Sequence, residues 1–206
     1  MYCDLRQLID RPAPRGIFNW AKEVKNILYD CGFYAEWESQ VIINVDVFLN
    51  NIHKRLVDIA LQEMYTYFRN SSKYALYPLY KKDFSMTPYL LILKNIRLRN
   101  IIVRFRLSSH NLNIELGRHH AIPRHERICK VCNLGLIEDE HHFLLVCPYY
   151  KNLRATHLPT FYSQNCSFHH FNILMSSYDP TLIYAISIFL KLALEKRKLF
   201  FEYVDL

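Results

Sequence analysis

Apolar residues recur every three or four positions over most of the chain, the spacing that places them on one face of an α-helix. Phe18 to Asp30 reads as a first helix, with Trp20, Val24, Ile27 and Leu28 along one side and Gly32 placed to end it. A longer helix is expected from Val45 to Phe68. Its stripe of Val45, Phe48, Ile52, Leu56 and Ile59 drifts on through Ala60, Met64 and Tyr67, a core-packing pattern. Thr87 followed by Pro88 is a helix start: a capping side chain, then a residue whose fixed φ suits the first turn. From there to Leu107 one helix would carry Ile92, Ile96, Val103 and Leu107 on one face and Leu91, Leu98, Ile102 and Phe105 nearly opposite. Apolar on two sides, it is expected to be sandwiched as the central element of the fold, with Arg97 and Arg104 on one flank and Arg99 and Arg106 on the other.

Downstream, Gly117 and Pro123 break the pattern, so residues 108 to 128 read as irregular or short helical pieces. Pro148 disfavours helix at Cys147. A short turn over His142 to Val146 should stop there, and a new helix begin at Pro148, packed by Tyr150 and Leu153 and ended by Pro159. Ser167 is placed to cap a helix through Phe168, Phe171, Ile173 and Leu174. Asp179 and Pro180 open the last helix, to about Tyr203, buried along Ile183, Ile186, Phe189, Leu190, Ala193 and Leu194, with Lys196, Arg197 and Lys198 near its C-terminal dipole. Residues 1 to 16, with Pro12, Pro14 and Gly16, show no regular pattern. The expectation is a mainly α protein in three stretches: an N-terminal helical region (1–86), a basic helix with a small cysteine-rich knuckle (87–156), and C-terminal helices packing on the same core (157–206).

The knuckle is the stretch where chemistry concentrates. Cys129 and Cys132 form C-x2-C, and His142 and Cys147 form H-x4-C nine residues later. Two close pairs of soft or borderline ligands match the closed tetrahedral shell that Zn²⁺ prefers in structural sites. Spacing favours His142 and leaves His141, which would give H-x5-C, open. The plainer reading is a C-x-x-C that is redox-active or merely buried. Asn133 and Gly135 suit the turn between the pairs. Glu138, Asp139 and Glu140 lie where a carboxylate can accept the free imidazole N–H, or where acids favour a helix N-terminus. Three thiolates and Zn²⁺ sum to a single negative charge, which Arg127 and Lys130 are placed to offset.

Charge sharpens the picture. Between Lys94 and Lys130 nine lysines and arginines face two acidic residues, an excess equal to the formal +7 of the whole chain. Concentrated positive charge of this kind is the electrostatic footprint of a nucleic-acid contact, RNA or DNA. Arg97, Arg99, Arg104, Arg106, Arg118, Arg124, Arg127 and Lys130 are the candidate residues for it. The Tyr-rich run at 70–86, with Lys73, Lys81 and Lys82 among Tyr74, Tyr77 and Tyr80, reads either as a base-stacking strip or as aromatics half buried between helices.

Three segments also resemble a known family: R-L-S-S-H-N-L-N-I-E-L-G-R-H from Arg106, I-P-R-H-E-R-I-C-K-V-C from Ile122, and E-D-E-H-H-F-L-L-V-C-P-Y-Y-K-N-L-R from Glu138. Together they are similar to the zinc-binding region that follows the polymerase in reverse transcriptase-like proteins of non-LTR (LINE-type) retrotransposons. The resemblance covers about residues 86 to 156. It implies Cys129, Cys132, His142 and Cys147 as ligands and a detached, non-catalytic tail, because the chain has no adjacent aspartate pair to hold metal ions for nucleotidyl transfer.

Remaining features narrow the class. The 206 residues are 51% hydrophobic, enough for a real core. The N-terminus lacks a secretory apolar run, and the longest apolar stretch, Leu182 to Leu190, is too short for a bilayer span. The expectation is a soluble intracellular protein with no membrane role, in which Cys3, Cys31 and Cys166 are ordinary part-buried thiols. Asp139-Glu140-His141-His142 spells a helicase box, but no G-x-x-x-x-G-K-[ST] phosphate loop accompanies it. The rivals to a nucleic-acid-binding tail are a structural or protein-interaction module held by zinc and a retroelement remnant without a role.

Overall fold

The computed structural model describes residues 20 to 204. The expectations for residues 1 to 16, Cys3 and Phe18 therefore lie outside the described residues. Among the described residues the chain is mainly α-helical, and its one extended pairing is an isolated antiparallel bridge between Ile128 and Ile137. It divides into two compact units, Met1–Thr66 and Tyr67–Leu206.

In the first unit, helix α1 (Trp20–Asp30) packs against α2 (Tyr34–Ser39). Gly32, at φ 84°, ends α1: its N–H goes to the Tyr29 carbonyl at 3.0 Å and that of Phe33 to the Leu28 carbonyl at 2.7 Å. That pair of bonds satisfies carbonyls the last helical turn leaves open, and the positive φ favours glycine. Ala21 and Trp37 are buried, whereas Trp20, expected to face inward, is 51% exposed. Helix α3 (Val45–Asn70) follows the predicted stripe but has no buried residue, and Val45, Leu49 and Leu56 are exposed. The core role read from its periodicity is realised in part: Phe48, Ile52, Ile59, Ala60 and Met64 of the stripe are half-buried, with Phe48 edge-on to Phe33 at 5.5 Å, because a period reports which residues share a face and not how completely another element covers it.

The second unit holds α4 (Tyr77–Tyr80), α5 (Pro88–Ile92), α6 (Ile96–Arg106), α7 (Asn113–His119), α8 (Lys151–His157), α9 (Thr160–Gln164), α10 (Phe168–Met175) and α11 (Pro180–Val204). Its spine is α11, which packs against α6 and α8 and buries Ile183, Ile186, Phe189, Leu190 and Ala193 along the predicted face. Asp179 caps it through Oδ1 and the Thr181 N–H at 2.9 Å, and Ser167 caps α10 through the His170 N–H at 3.2 Å. Phe68, Tyr74, Tyr77 and Tyr80 pack ring on ring, with Phe68 and Tyr77 centroids 5.0 Å apart. The packed reading of the Tyr-rich run holds for these rings. No single helix among the described residues is long and apolar enough to cross a membrane.

The single helix expected from 88 to 107 is broken. Leu93 leaves helical geometry, and the Asn95 side chain accepts the N–H groups of Arg97 and Leu98 at 2.9 and 3.4 Å, capping a new helix. Such a cap is worth about 1 kcal/mol. Thr87 occupies the capping position of α5, but its side chain makes no capping bond. The break uncouples 88–92 from the register of 96–106, so α6 buries one face, Leu98, Ile102, Phe105 and Arg106, and leaves Ile96 52% exposed. The two-sided sandwich does not form.

Gly117 was expected to break structure, yet it lies inside α7. A Cβ there would stand 2.6 Å from Cγ of Arg127, so glycine is required for the passage of that side chain. Arg127 donates to the carbonyls of Ile122 and Ile114, both at 2.9 Å, and so fastens the approach to the knuckle onto α7.

Glu138 ties the knuckle to the spine. Its carboxylate is buried and receives Nε and Nη2 of Arg197 at 2.7 and 2.8 Å and the Asn113 N–H at 2.8 Å. Arg197 thus serves an ion pair inside the core rather than the dipole of α11. A buried charge stripped of its partner is strongly unfavourable. Glu138→Ala is expected to lower stability by about 3–5 kcal/mol in urea unfolding, leaving Arg197 uncompensated. Lys198→Ala, which opens an exposed pair with Glu202, should shift the midpoint far less.

Candidate metal centre

Backbone geometry brings the two ligand pairs together. The Cys129 N–H goes to the Leu136 carbonyl at 2.8 Å and the Glu138 N–H to the Arg127 carbonyl at 2.9 Å, a narrow ladder around the Ile128–Ile137 bridge. Gly135, at φ 66°, lets the chain turn back. The second pair rests on a π-helical turn, His142–Val146, in which the Cys147 N–H reaches the His142 carbonyl at 2.7 Å. Residues five apart share a face of such a turn, which is the physical meaning of H-x4-C here. Asp139 starts the turn by accepting the His142 N–H at 2.8 Å.

The result is a Cys3His cluster: ligand atoms of Cys129, Cys132, His142 and Cys147 all lie within 4.8 Å of one another. Cys132 Sγ is 3.4 Å from His142 Nε2. A tetrahedral zinc-type shell has donor–donor edges of about 3.6–3.8 Å, so the set can close on one ion with small adjustments. Cys129, His142 and Cys147 are buried and Cys132 is half-buried, so the shell sits in the core with one edge toward solvent. His141 is not part of it: its Nε2 lies 2.8 Å from the Cys166 carbonyl, and its ring packs edge-on against Phe168 and Phe171. The choice left open by spacing is decided for His142.

Hydrogen bonding to the sulfurs tests whether this set suits a cation. The N–H groups of Val131, Leu134 and Tyr149 are each directed at the sulfur two residues earlier, on Cys129, Cys132 and Cys147. Such bonds favour thiolate over thiol. Hydrogen bonding from the Cys147 thiol, against the cost of burial and with help from His142, lowers the Cys129 pKa to about 3. Cys147, holding the shared proton and buried besides, is pushed up, and burial also raises Cys132. A cation would displace the remaining thiol protons and draw all three sulfurs. The donors fit a metal ion.

Searches against protein-family models, curated proteins and solved structures found no match for the chain. The site is read from its own residues.

None of the acids at 138–140 reaches the free imidazole nitrogen, and His142 Nδ1 is buried without a partner. Glu138 serves Arg197. Glu140 accepts from Ser108 at 2.6 Å and lies 3.0 Å from His110 Nε2. Burial alone would raise the Glu140 pKa, but the bonds from His110 and Ser108 outweigh it and hold the carboxyl below its ordinary value.

Burial sorts the eight basic candidates. Arg106, 4% exposed, lies between the rings of Tyr80 and Tyr89, its guanidinium carbon 4.5 and 4.9 Å from their centroids, and donates to the Met175 and Tyr80 carbonyls. It cannot meet a phosphate. Arg127 is engaged by two carbonyls, and Arg118 grips Glu115 at 2.9 Å. Arg99 is half-buried with Nη1 3.3 Å from the Leu90 carbonyl. Arg97, Arg104, Arg124 and Lys130 are exposed. Arg97 and Arg104, seven residues apart, share a face of α6 about 10 Å from each other along the axis. Arg124 stands 3.7 Å from Asp139. Tyr150, expected to pack the helix after Pro148, is buried beside Cys147, and spacing gives no sign of Arg154, buried there too.

Two outcomes are expected. His142→Ala should abolish metal uptake measured by native mass spectrometry while His141→Ala retains it. Because thiols must ionise to bind, loading a divalent ion at neutral pH should release protons, read by calorimetry in buffers of different ionisation heat, and affinity should fall as pH falls.

Proposed function

We propose that the chain is a non-catalytic, zinc-dependent nucleic-acid-binding tail of a retroelement-derived protein. The observation that carries the reading is a core-embedded Cys3His cluster in a chain whose basic segment keeps Arg97, Arg104, Arg124 and Lys130 exposed. Three thiolates with one imidazole suit Zn²⁺ above harder cations, and four protein donors leave no open coordination position for a reacting water. Zinc in this reading is structural: it closes the hairpin at 127–138 on the turn at 142–147. The segments at 106–119, 122–132 and 138–154 that resemble the zinc-binding region of LINE-type reverse transcriptase-like proteins are the ones that build the cluster and the ladder around it.

One observation favours the rival, a structural or protein-interaction module. Arg106, Arg118 and Arg127 are spent on internal contacts, so the positive excess of the segment is larger in the sequence than on the surface.

Binding to single-stranded RNA and DNA across a salt series separates the two. The tail reading expects affinity that falls steeply with salt. Substituting Gln at Arg97, Arg104, Arg124 and Lys130 together should flatten the log–log slope by up to about 3. One zinc per chain, lost in Cys129→Ser/Cys132→Ser, is expected alongside. Weak, salt-insensitive binding by the zinc-loaded chain would sink the reading in favour of the module.

A further inference from the structure

Arg154 presents a problem of charge. It lies on α8, is 4% exposed, and donates from Nη2 to the Cys147 carbonyl at 2.5 Å, while Nη1 has no partner. Among the described residues no carboxylate comes within ion-pair distance of it, in contrast to the other arginine buried on a C-terminal helix, Arg197, which has Glu138. Burial depresses its pKa, and the ionisable groups that act on it in the opposite sense are the thiols of Cys166 and Cys147. Cys166 is turned to the Ser163 carbonyl, 3.6 Å from Sγ, as a thiol donor. A guanidinium stays charged under ordinary conditions, and an isolated buried charge is strongly unfavourable. Arg106, also buried without a carboxylate, has two tyrosine rings and two carbonyls around it, whereas Arg154 has one carbonyl and no ring among the described residues, so a negative group beside it is what would offset its charge.

We infer that Arg154 is the fixed counter-cation of a metal–trithiolate cluster, a positioning residue that makes Cys129, Cys132, His142 and Cys147 select a divalent ion bound with net charge −1. Two positive charges on the metal against three thiolates and a neutral imidazole leave one negative charge in the core. Arg154, on α8, supplies one positive charge bonded to the backbone carbonyl of the ligand Cys147. Arg127 and Lys130, placed by the sequence for the same task, do not perform it: the first is bonded to the Ile114 and Ile122 carbonyls and the second is exposed. This inference rests on the zinc reading and adds what sets the affinity of that site.

The test is a double-mutant cycle on metal affinity, with zinc as the probe and a chromophoric chelator as competitor. Arg154→Gln in the otherwise unchanged chain should weaken zinc binding by about ten- to a hundredfold, the range for groups that support metal ligands from outside the shell. Cys132→His replaces the half-buried thiolate by a neutral donor and makes the cluster neutral; in that background Arg154→Gln should change affinity little. Arg154→Lys keeps the charge and should retain most of the affinity. Equal losses in both backgrounds, or a Lys variant as weak as the Gln variant, would mean that the side chain acts by packing and would overturn the proposal. So would an Arg154→Gln chain that binds zinc as tightly as the parent. If Cys132→His takes up no zinc, the Lys-against-Gln comparison alone decides. A parent chain that takes up no zinc at all fails the zinc reading itself.

Discussion

A carboxylate with no access to water has to be surrounded by donors, and Glu138 finds three: two from Arg197 and one from the Asn113 N–H. That constraint organises the second unit. Glu138 closes the ladder begun at Arg127, and its own carbonyl receives the Ile114 N–H at 3.1 Å, so one residue pins the hairpin, the start of α7 and the last helix to each other. Misplacing any of the three would leave a charge buried alone, at a cost comparable with the whole stability of a small domain. The position of the cluster follows, because Cys129 lies at one end of this ladder and His142 four residues beyond Glu138.

Around the cluster, polar atoms are matched in a graded way. The N–H groups two residues beyond Cys129, Cys132 and Cys147 bias each sulfur toward the thiolate. Farther out the matching is incomplete: His142 Nδ1, the Tyr150 hydroxyl and Arg154 Nη1 are buried without partners. Of the five buried side-chain polar atoms without partners among the described residues, these three lie on or beside the ligand set, and the other two are Arg106 Nε and Asn172 Oδ1. Tyr150 is also packed 4.7 Å, ring to ring, from Phe143 on the π turn, so the same residues that leave polar atoms unpaired hold the turn rigid.

The arginines show how far one residue type can diverge in role within a single stretch. Arg104 and Arg106 are two positions apart on α6. One is exposed; the other is enclosed by two tyrosine rings and two carbonyls and holds α6 to α4 and α10. A helix turns by about 200° over two residues, so such neighbours face opposite environments by geometry alone. Net charge along a segment counts both equally, and surface potential does not.

What the sequence determined by itself was whatever depends on local spacing: the helical class, the cap at Ser167, the start at Asp179-Pro180, the stop at Pro148, and the grouping of Cys129, Cys132 and Cys147 with a histidine from the pair at 141–142. Each rests on contacts within a few residues, where period and backbone sterics leave few options. Tertiary structure decided the rest. The break at Leu93–Asn95, the incomplete burial of α3, the need for glycine at 117, the choice of His142 over His141 and the engagement of Arg106, Arg127, Arg154 and Arg197 all depend on which distant element arrives on a given face. Periodicity states that a face exists, and only the fold states what covers it, because burial and counter-charge are properties of groups far apart in the chain that meet at one place.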